Sequence, residues 1–284
     1  MAYLDHIRAC NNFDPTGFRP FRVNGERVGW LLHDLAEELR RWPGVFRVGN
    51  DAVALDSAFG DFDSRSTAVE APLRALADDG LIEAWRGELY PVTADWHAPP
   101  LMRIERAACP RFGIRAFGVH INGFVRKGAG LHMWVARRAY DKPTFPGMLD
   151  NMVAGGQPIG LGLLENVIKE CGEEAGIPED IARRATAVGM ISYTHQPPEG
   201  TKPDQMFCYD LELPENFTPR PADGEVEEFY LWPIEKVAET VRDGFAFKFN
   251  CNLVVIDFLI RHGVIDPDNE PDYAALVHGL RAGG

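Results

Sequence analysis

The sequence predicts an α+β protein in two parts, a smaller α+β domain over residues 1–100 and a larger domain with a mixed sheet over residues 101–284. Three observations predict this. Helix-like and strand-like apolar periodicities are interspersed along the whole chain, the segment His97-Ala98-Pro99-Pro100 interrupts them, and 284 residues exceed one ordinary domain. A composition of 45% apolar and 25% charged residues belongs to a folded globular chain, so a sizeable core can form.

In the first domain, Val28, Leu31, Leu32, Leu35 and Leu39 recur at helical spacing between residues 27 and 42, and Pro43-Gly44 closes the run. A helix is expected there. Thr67 and Glu70 form a capping-box pattern, Val69, Leu73 and Leu76 follow, and Asp78-Asp79-Gly80 ends this second helix. Residues 81–85 and 88–92 read as a hairpin across Arg86-Gly87, and residues 97–100 as the linker. Beyond it, residues 113–126 and 131–137 read as paired strands around Lys127-Gly128-Ala129-Gly130. A Gly-rich loop over residues 154–160 leads into a helix over residues 163–175, which Gly176 and Pro178 terminate. Strands are expected over residues 187–193, 205–213 and 227–232, and a long helix over residues 251–261, ended by Gly263.

The formal net charge of −13 argues against tracking a nucleic-acid backbone or an anionic membrane surface. No stretch approaches the ~18 consecutive apolar residues of a membrane span, and the most hydrophobic run, residues 253–260, is interrupted by Asp257. The first fourteen residues lack the apolar core of a secretory signal. Five cysteines, odd in number and without CxxC spacing, fit neither a disulfide framework nor a zinc site. A reducing, cytoplasmic setting is the expectation.

The helix over residues 163–175 carries the chemistry. On a helical projection Leu164, Ile168, Cys171 and Ala175 share one sector, and Glu170, Glu173 and Glu174 lie together on the far side. Like charges at these spacings repel by a few tenths of a kcal/mol each, so the cluster needs either full solvation or a compensating cation. A hard divalent ion with oxygen ligands is the natural candidate.

From Gly155 the chain reads Gly155, five residues, Leu161, seven residues, then Lys169-Glu170-Cys171-Gly172-Glu173-Glu174-Ala175-Gly176-Ile177. This resembles the Nudix box, the loop-helix-loop signature of the Nudix hydrolases. Leu161 stands where the pattern has Glu, and Lys169 where it has Arg. The resemblance implies an α/β/α sandwich that hydrolyses a diphosphate linkage with Mg²⁺, for which Mn²⁺ would substitute. Glu170 and Glu174 would be the main metal ligands, and Glu173 a further ligand or a base acting through metal-bound water. Gly155, Gly156 and Gly160 would let the backbone pass close to metal and phosphates. The general base of such enzymes often lies outside the box, which makes Glu225, Glu227 and Glu228 candidates; Glu228 is taken forward as catalytic.

Arg115 and Lys248 are the expected cationic contacts to the diphosphate. Trp134, Tyr193, Phe207 and Phe245 could stack on a ring or fill a core; His120, His132 and His195 show no ligand spacing, and Cys171 should be buried and inert. The domain arrangement and residues 150–156, 224–229 and 247–261 also resemble Nudix proteins related to the hydrolase half of fungal thiamine pyrophosphokinase fusions. That implies a small-molecule partner similar to thiamine diphosphate. Two alternatives stay open: an ADP-ribose or dinucleotide substrate, and a catalytically silent Nudix-fold module binding a nucleotide or a partner, which Leu161 and Lys169 favour. The N-terminal domain could wall the cleft, mediate a homodimer or stabilise its neighbour.

Overall fold

The computed structural model describes residues 2–128 and 130–283; Ala129, in the turn expected at residues 127–130, lies outside them. The N-terminal module contains α1 (Tyr3–Cys10), β1 (Phe18–Val23), β2 (Glu26–Leu32), α2 (His33–Glu38), β3 (Phe46–Val48), β4 (Val53–Leu55), α3 (Phe62–Asp78), β5 (Leu89–Val92), β6 (Met102–Glu105) and α4 (Cys109–Phe112). A four-stranded sheet runs β2-β1-β4-β3, and β5 pairs with β6 in a separate two-stranded sheet.

Three expectations are corrected here. The helix placed over residues 27–42 starts only at His33, because Asn24-Gly25, both at positive φ (51° and 83°), make the tight turn that pairs β2 with β1. Helix α3 starts well before Thr67, since the Asp61 carboxylate caps it by accepting the Ser64 N–H at 2.8 Å; it ends as expected, with Gly80 at φ 75°. Residues 81–85 form no strand. β5 pairs with β6 instead, so residues 97–100 are a loop inside that pair, and the N-terminal core continues to Phe112 and Ile114.

The second module contains β7 (Phe117–Lys127), β8 (Gly130–Arg138), β9 (Leu149–Asn151), β10 (Val153–Gly156), α5 (Leu163–Ala175), α6 (Glu179–Ala182), β11 (Thr186–Ser192), β12 (Gln205–Glu212), β13 (Val226–Pro233), α7 (Ile234–Asp243), α8 (Cys251–Arg261) and α9 (Tyr273–Gly279). Its sheet runs β11-β12-β7-β8-β13, with β10 added to β7 and β9 to β8. The sheet is mixed: β7 and β12 are parallel, and the other pairings are antiparallel.

Helices cover both faces of this sheet. Val167, Cys171 and Ala175 of α5 meet Val119, Ile121 and Leu211 on one face, and α7 and α8 pack on Phe124, Met133 and Val135 on the other. Helix α1 joins that second layer through Tyr3, Ile7 and Cys10, so the start of the chain contributes to the core of the second module. His6, fully buried, fastens it there with Nε2 2.7 Å from the Val241 carbonyl.

Candidate active site

Helix α5 presents four lines of residues at i, i+4 spacing, and the sheet decides what each line does. Val167, Cys171 and Ala175 are buried against the sheet. Asn166, Glu170 and Glu174 run beside them toward β10, and Glu165, Lys169 and Glu173 face solvent. Leu164 is left 40% exposed, so the buried stripe is rotated from the one expected, and the three clustered glutamates differ in burial, Glu174 being buried and Glu173 exposed. Their grouping on a projection ignores which line the strand beside the helix covers.

Glu174 is only 8% exposed and accepts the Ala154 N–H at 3.0 Å. Burial pushes its pKa well above the usual carboxylate range, and the charges of Asp150, Glu170 and Glu225 add to the rise. Burial likewise raises the Glu170 carboxyl, against the pull of Lys169. Glu173 is held on the outside: Lys169 Nζ lies 2.6 Å from its carboxylate and 3.1 Å from that of Glu170. Among the described residues no three His, Cys, Asp or Glu side chains converge as a ready-made metal site.

The stretch expected as a loop at residues 154–160 begins as strand β10. Its glycines make room for side chains: a Cβ on Gly155 would lie 2.3 Å from Glu170 Cδ, and one on Gly156 would lie 1.6 Å from the Tyr90 hydroxyl. The connection to α5 is braced by two buried amides. Gln157 donates to the Leu161 carbonyl at 2.6 Å, and Asn166 donates to Gln157 Oε1 at 3.0 Å and to the Gly156 carbonyl at 2.8 Å. Leu161, where the box pattern has Glu, contributes a backbone oxygen to this brace.

Beside β10 lies a cavity of about 200 Å³ between the two modules. Tyr90, Arg106, Cys109 and Pro110 line it from the N-terminal side, and Gly118, His120, residues 154–156, Asp204 and Lys248 from the other. His120 Nδ1 lies 2.9 Å from Asn151 Oδ1, and burial, with Lys248 nearby, lowers its pKa to about 4, so the imidazole is neutral at physiological pH. Arg106 is paired with Glu88 at 2.7 Å. Tyr193, one of the four aromatics noted in the sequence, lines the cavity; Trp134 is in the core, Phe207 stacks on Phe117, and Phe245 packs on His6. His195 binds the Ala9 carbonyl at 3.1 Å, outside the cavity.

Of the two expected phosphate contacts, Lys248 lines the cavity and Arg115 does not. Arg115 donates to the Ala94 carbonyl and borders a separate cleft with Phe13 and Trp30. Of the three acids ahead of Trp232, Glu225 is half-buried, 2.5 Å from Lys142, and its charge reaches Glu174 and Arg106. Glu227 and Glu228 are exposed, and Glu228 lies opposite Arg137 in the β13–β8 register. Sequence reasoning missed Tyr90, Arg106, Lys202 and Asp204, which no local pattern marks.

A model described as the NUDIX domain matches residues 116–251, and one described as a domain of unknown function (DUF4743) matches residues 2–116. The chain is 41% identical over 291 residues to Nudix hydrolase 20, chloroplastic, of Arabidopsis thaliana, covering 99% of this chain and 78% of that protein. Nudix hydrolase 24, chloroplastic, of the same plant is 40% identical with the same coverage. The crystal structure of DR0079 from Deinococcus radiodurans superposes with a TM-score of 0.44 at 21% identity, over 60% of this chain and 98% of that one.

Proposed function

The chain belongs to the Nudix hydrolase family, and from that premise we propose that it cleaves the diphosphate linkage of a small organic diphosphate with Mg²⁺ as its metal. One observation carries the reading. Glu170 and Glu174 stand one turn apart, both driven toward the protonated form by burial, beside a cavity edged by Arg106 and Lys248. Two carboxylates confined this way need a proton or a cation, and a hard divalent ion meets that need with oxygen ligands. The donors fit. Glu170 and Glu174 would hold the ion while Lys169 keeps Glu173 outside, and water and phosphate oxygens suit the remaining positions of Mg²⁺ or Mn²⁺.

When bound, the metal supplies charge neutralisation and an acidified water. The chain's own groups supply binding and proton transfer. Arg106 and Lys248 take the anionic oxygens through charge-assisted bonds, and neutral His120 lines the floor without adding charge. We assign Glu225, kept ionised by Lys142, rather than the exposed Glu228, to accept a proton from the attacking water.

A cavity of about 200 Å³ suits a small organic diphosphate better than ADP-ribose or a dinucleotide. Within that class the reading is a thiamine-diphosphate-like compound losing its terminal phosphate. Five buried free cysteines favour a reducing compartment such as the cytoplasm, and among the described residues no helix is long and apolar enough to cross a membrane. The test is phosphate release with Mg²⁺ from thiamine diphosphate, its oxidised forms, ADP-ribose, dinucleotides and nucleotide sugars, with Glu174→Gln alongside. Release from the small diphosphates, abolished by the substitution, is the expected result. Binding without release across the panel would establish the silent-module alternative.

A further inference from the structure

We infer that Asp204 reads the organic end of the substrate, accepting a hydrogen bond from an N–H group that the substrate carries. This rests on the proposed diphosphate hydrolysis and names the substrate class more closely. Asp204 precedes β12 and lines the cavity. Its Oδ2 accepts the Tyr193 hydroxyl at 2.8 Å, and that hydroxyl accepts from Asn250 Nδ2 at 3.3 Å. Its Oδ1 is buried and has no hydrogen-bond partner among the described residues. The nearest cation, Lys202 Nζ, comes no closer than 4.0 Å and lies on the Oδ2 side. Tyr193 and Asn250 thus fix the carboxylate in place while one of its oxygens goes unused.

A buried acceptor held this way is costly until a donor meets it. The donor cannot be a phosphate oxygen, because the carboxylate repels it; the phosphates belong with Arg106, Lys248 and the glutamates. The group facing Asp204 is therefore the organic part, which Ile114, Phe117 and Met206 enclose with apolar surface. The chemistry that fits is a ring carrying an amine, an amidine or a protonated nitrogen, joined to a diphosphate. Sites built around a hydrogen bond discriminate strongly against analogues that lack the partner group.

The test uses a matched pair, 2-[4-(aminomethyl)phenyl]ethyl diphosphate and 2-(4-methylphenyl)ethyl diphosphate. Phosphate release with Mg²⁺ and metal-free binding by calorimetry are measured on the parent, Asp204→Leu, Asp204→Asn and Glu174→Gln. The parent should prefer the amine by at least about tenfold in kcat/KM and in affinity. Asp204→Leu should erase that preference by lowering kcat/KM and affinity for the amine more than for the methyl compound. Asp204→Asn, which keeps an acceptor for Tyr193, should weaken the preference and serves should the leucine variant not fold. Equal handling of the two compounds by the parent, binding of neither, or an equal loss on both in the Asp204 variants overturns the assignment. Undiminished release by Glu174→Gln would instead overturn the hydrolysis reading, leaving the binding preference to judge Asp204 alone.

Discussion

The two walls of the cavity are built in different ways. One wall is β10, backed by α5 in a contiguous stretch whose glutamates, glycines and buried amides brace one another locally. The other draws Tyr90, Arg106 and Pro110 from the N-terminal module and Asp204 from the loop before β12, groups far apart in the chain. In the proposed function the β10–α5 side would carry the bond-breaking chemistry and the other wall the discrimination. A local motif can hold a metal, because its ligands need only the i, i+4 geometry of one helix, whereas surrounding a ligand requires surfaces from several elements.

Glu174→Gln should lower kcat roughly 10³-fold, the scale of losing a principal source of charge stabilisation, while Glu173→Gln on the solvent-facing line should cost less than about tenfold. Equal losses in a phosphate-release assay would mean that Lys169 gives up Glu173 during turnover. The floor between the walls comes next. His120 has its folded pKa near 4 against an ordinary 6.5, so the unfolded chain binds the proton first as pH falls. The full stability contribution is present above about pH 6.5 and drains away toward pH 4, by about 3 kcal/mol. Urea unfolding at pH 7 and pH 4.5 should therefore show a steeper acid loss for the parent than for His120→Gln.

The second module also offers a contrast between two acids. Glu225→Gln should cost on the order of 100-fold in kcat and Glu228→Gln no more than about twofold, since only the former has its charge within reach of Glu174. Reversal of that order would return the base to the exposed strand. The contact between the walls can be strained last. Gly156→Ala forces a methyl onto the Tyr90 hydroxyl and should lower stability by roughly 1–3 kcal/mol, and pairing it with Tyr90→Ala should cost less than the two single losses summed. Additive losses in melting experiments would show that the modules do not press on each other there.

Helices α5 and α8 carry the bounds that their periodicity and flanking glycines indicate, and β7, β8, β11, β12 and β13 lie within a few residues of their expected places. The acid spacing was equally legible. Less so was the region between residues 27 and 42, where the apolar spacing suits a helix and a strand alike and only pairing with β1 decides between them. The same holds for β5, whose partner is β6 and not the nearer residues 81–85.

What the sequence by itself determined is therefore the local part: element type where periodicity is unambiguous, helix ends at left-handed glycines, and carboxylates at a helical repeat. Tertiary structure alone decided which line of α5 faces β10 and that Arg106, Lys248 and Asp204 meet around one cavity. The physical reason is burial. Hydrogen bonds within a turn or helix depend on near neighbours, but which side chains leave water depends on what packs across from them, and those partners are distant in the chain.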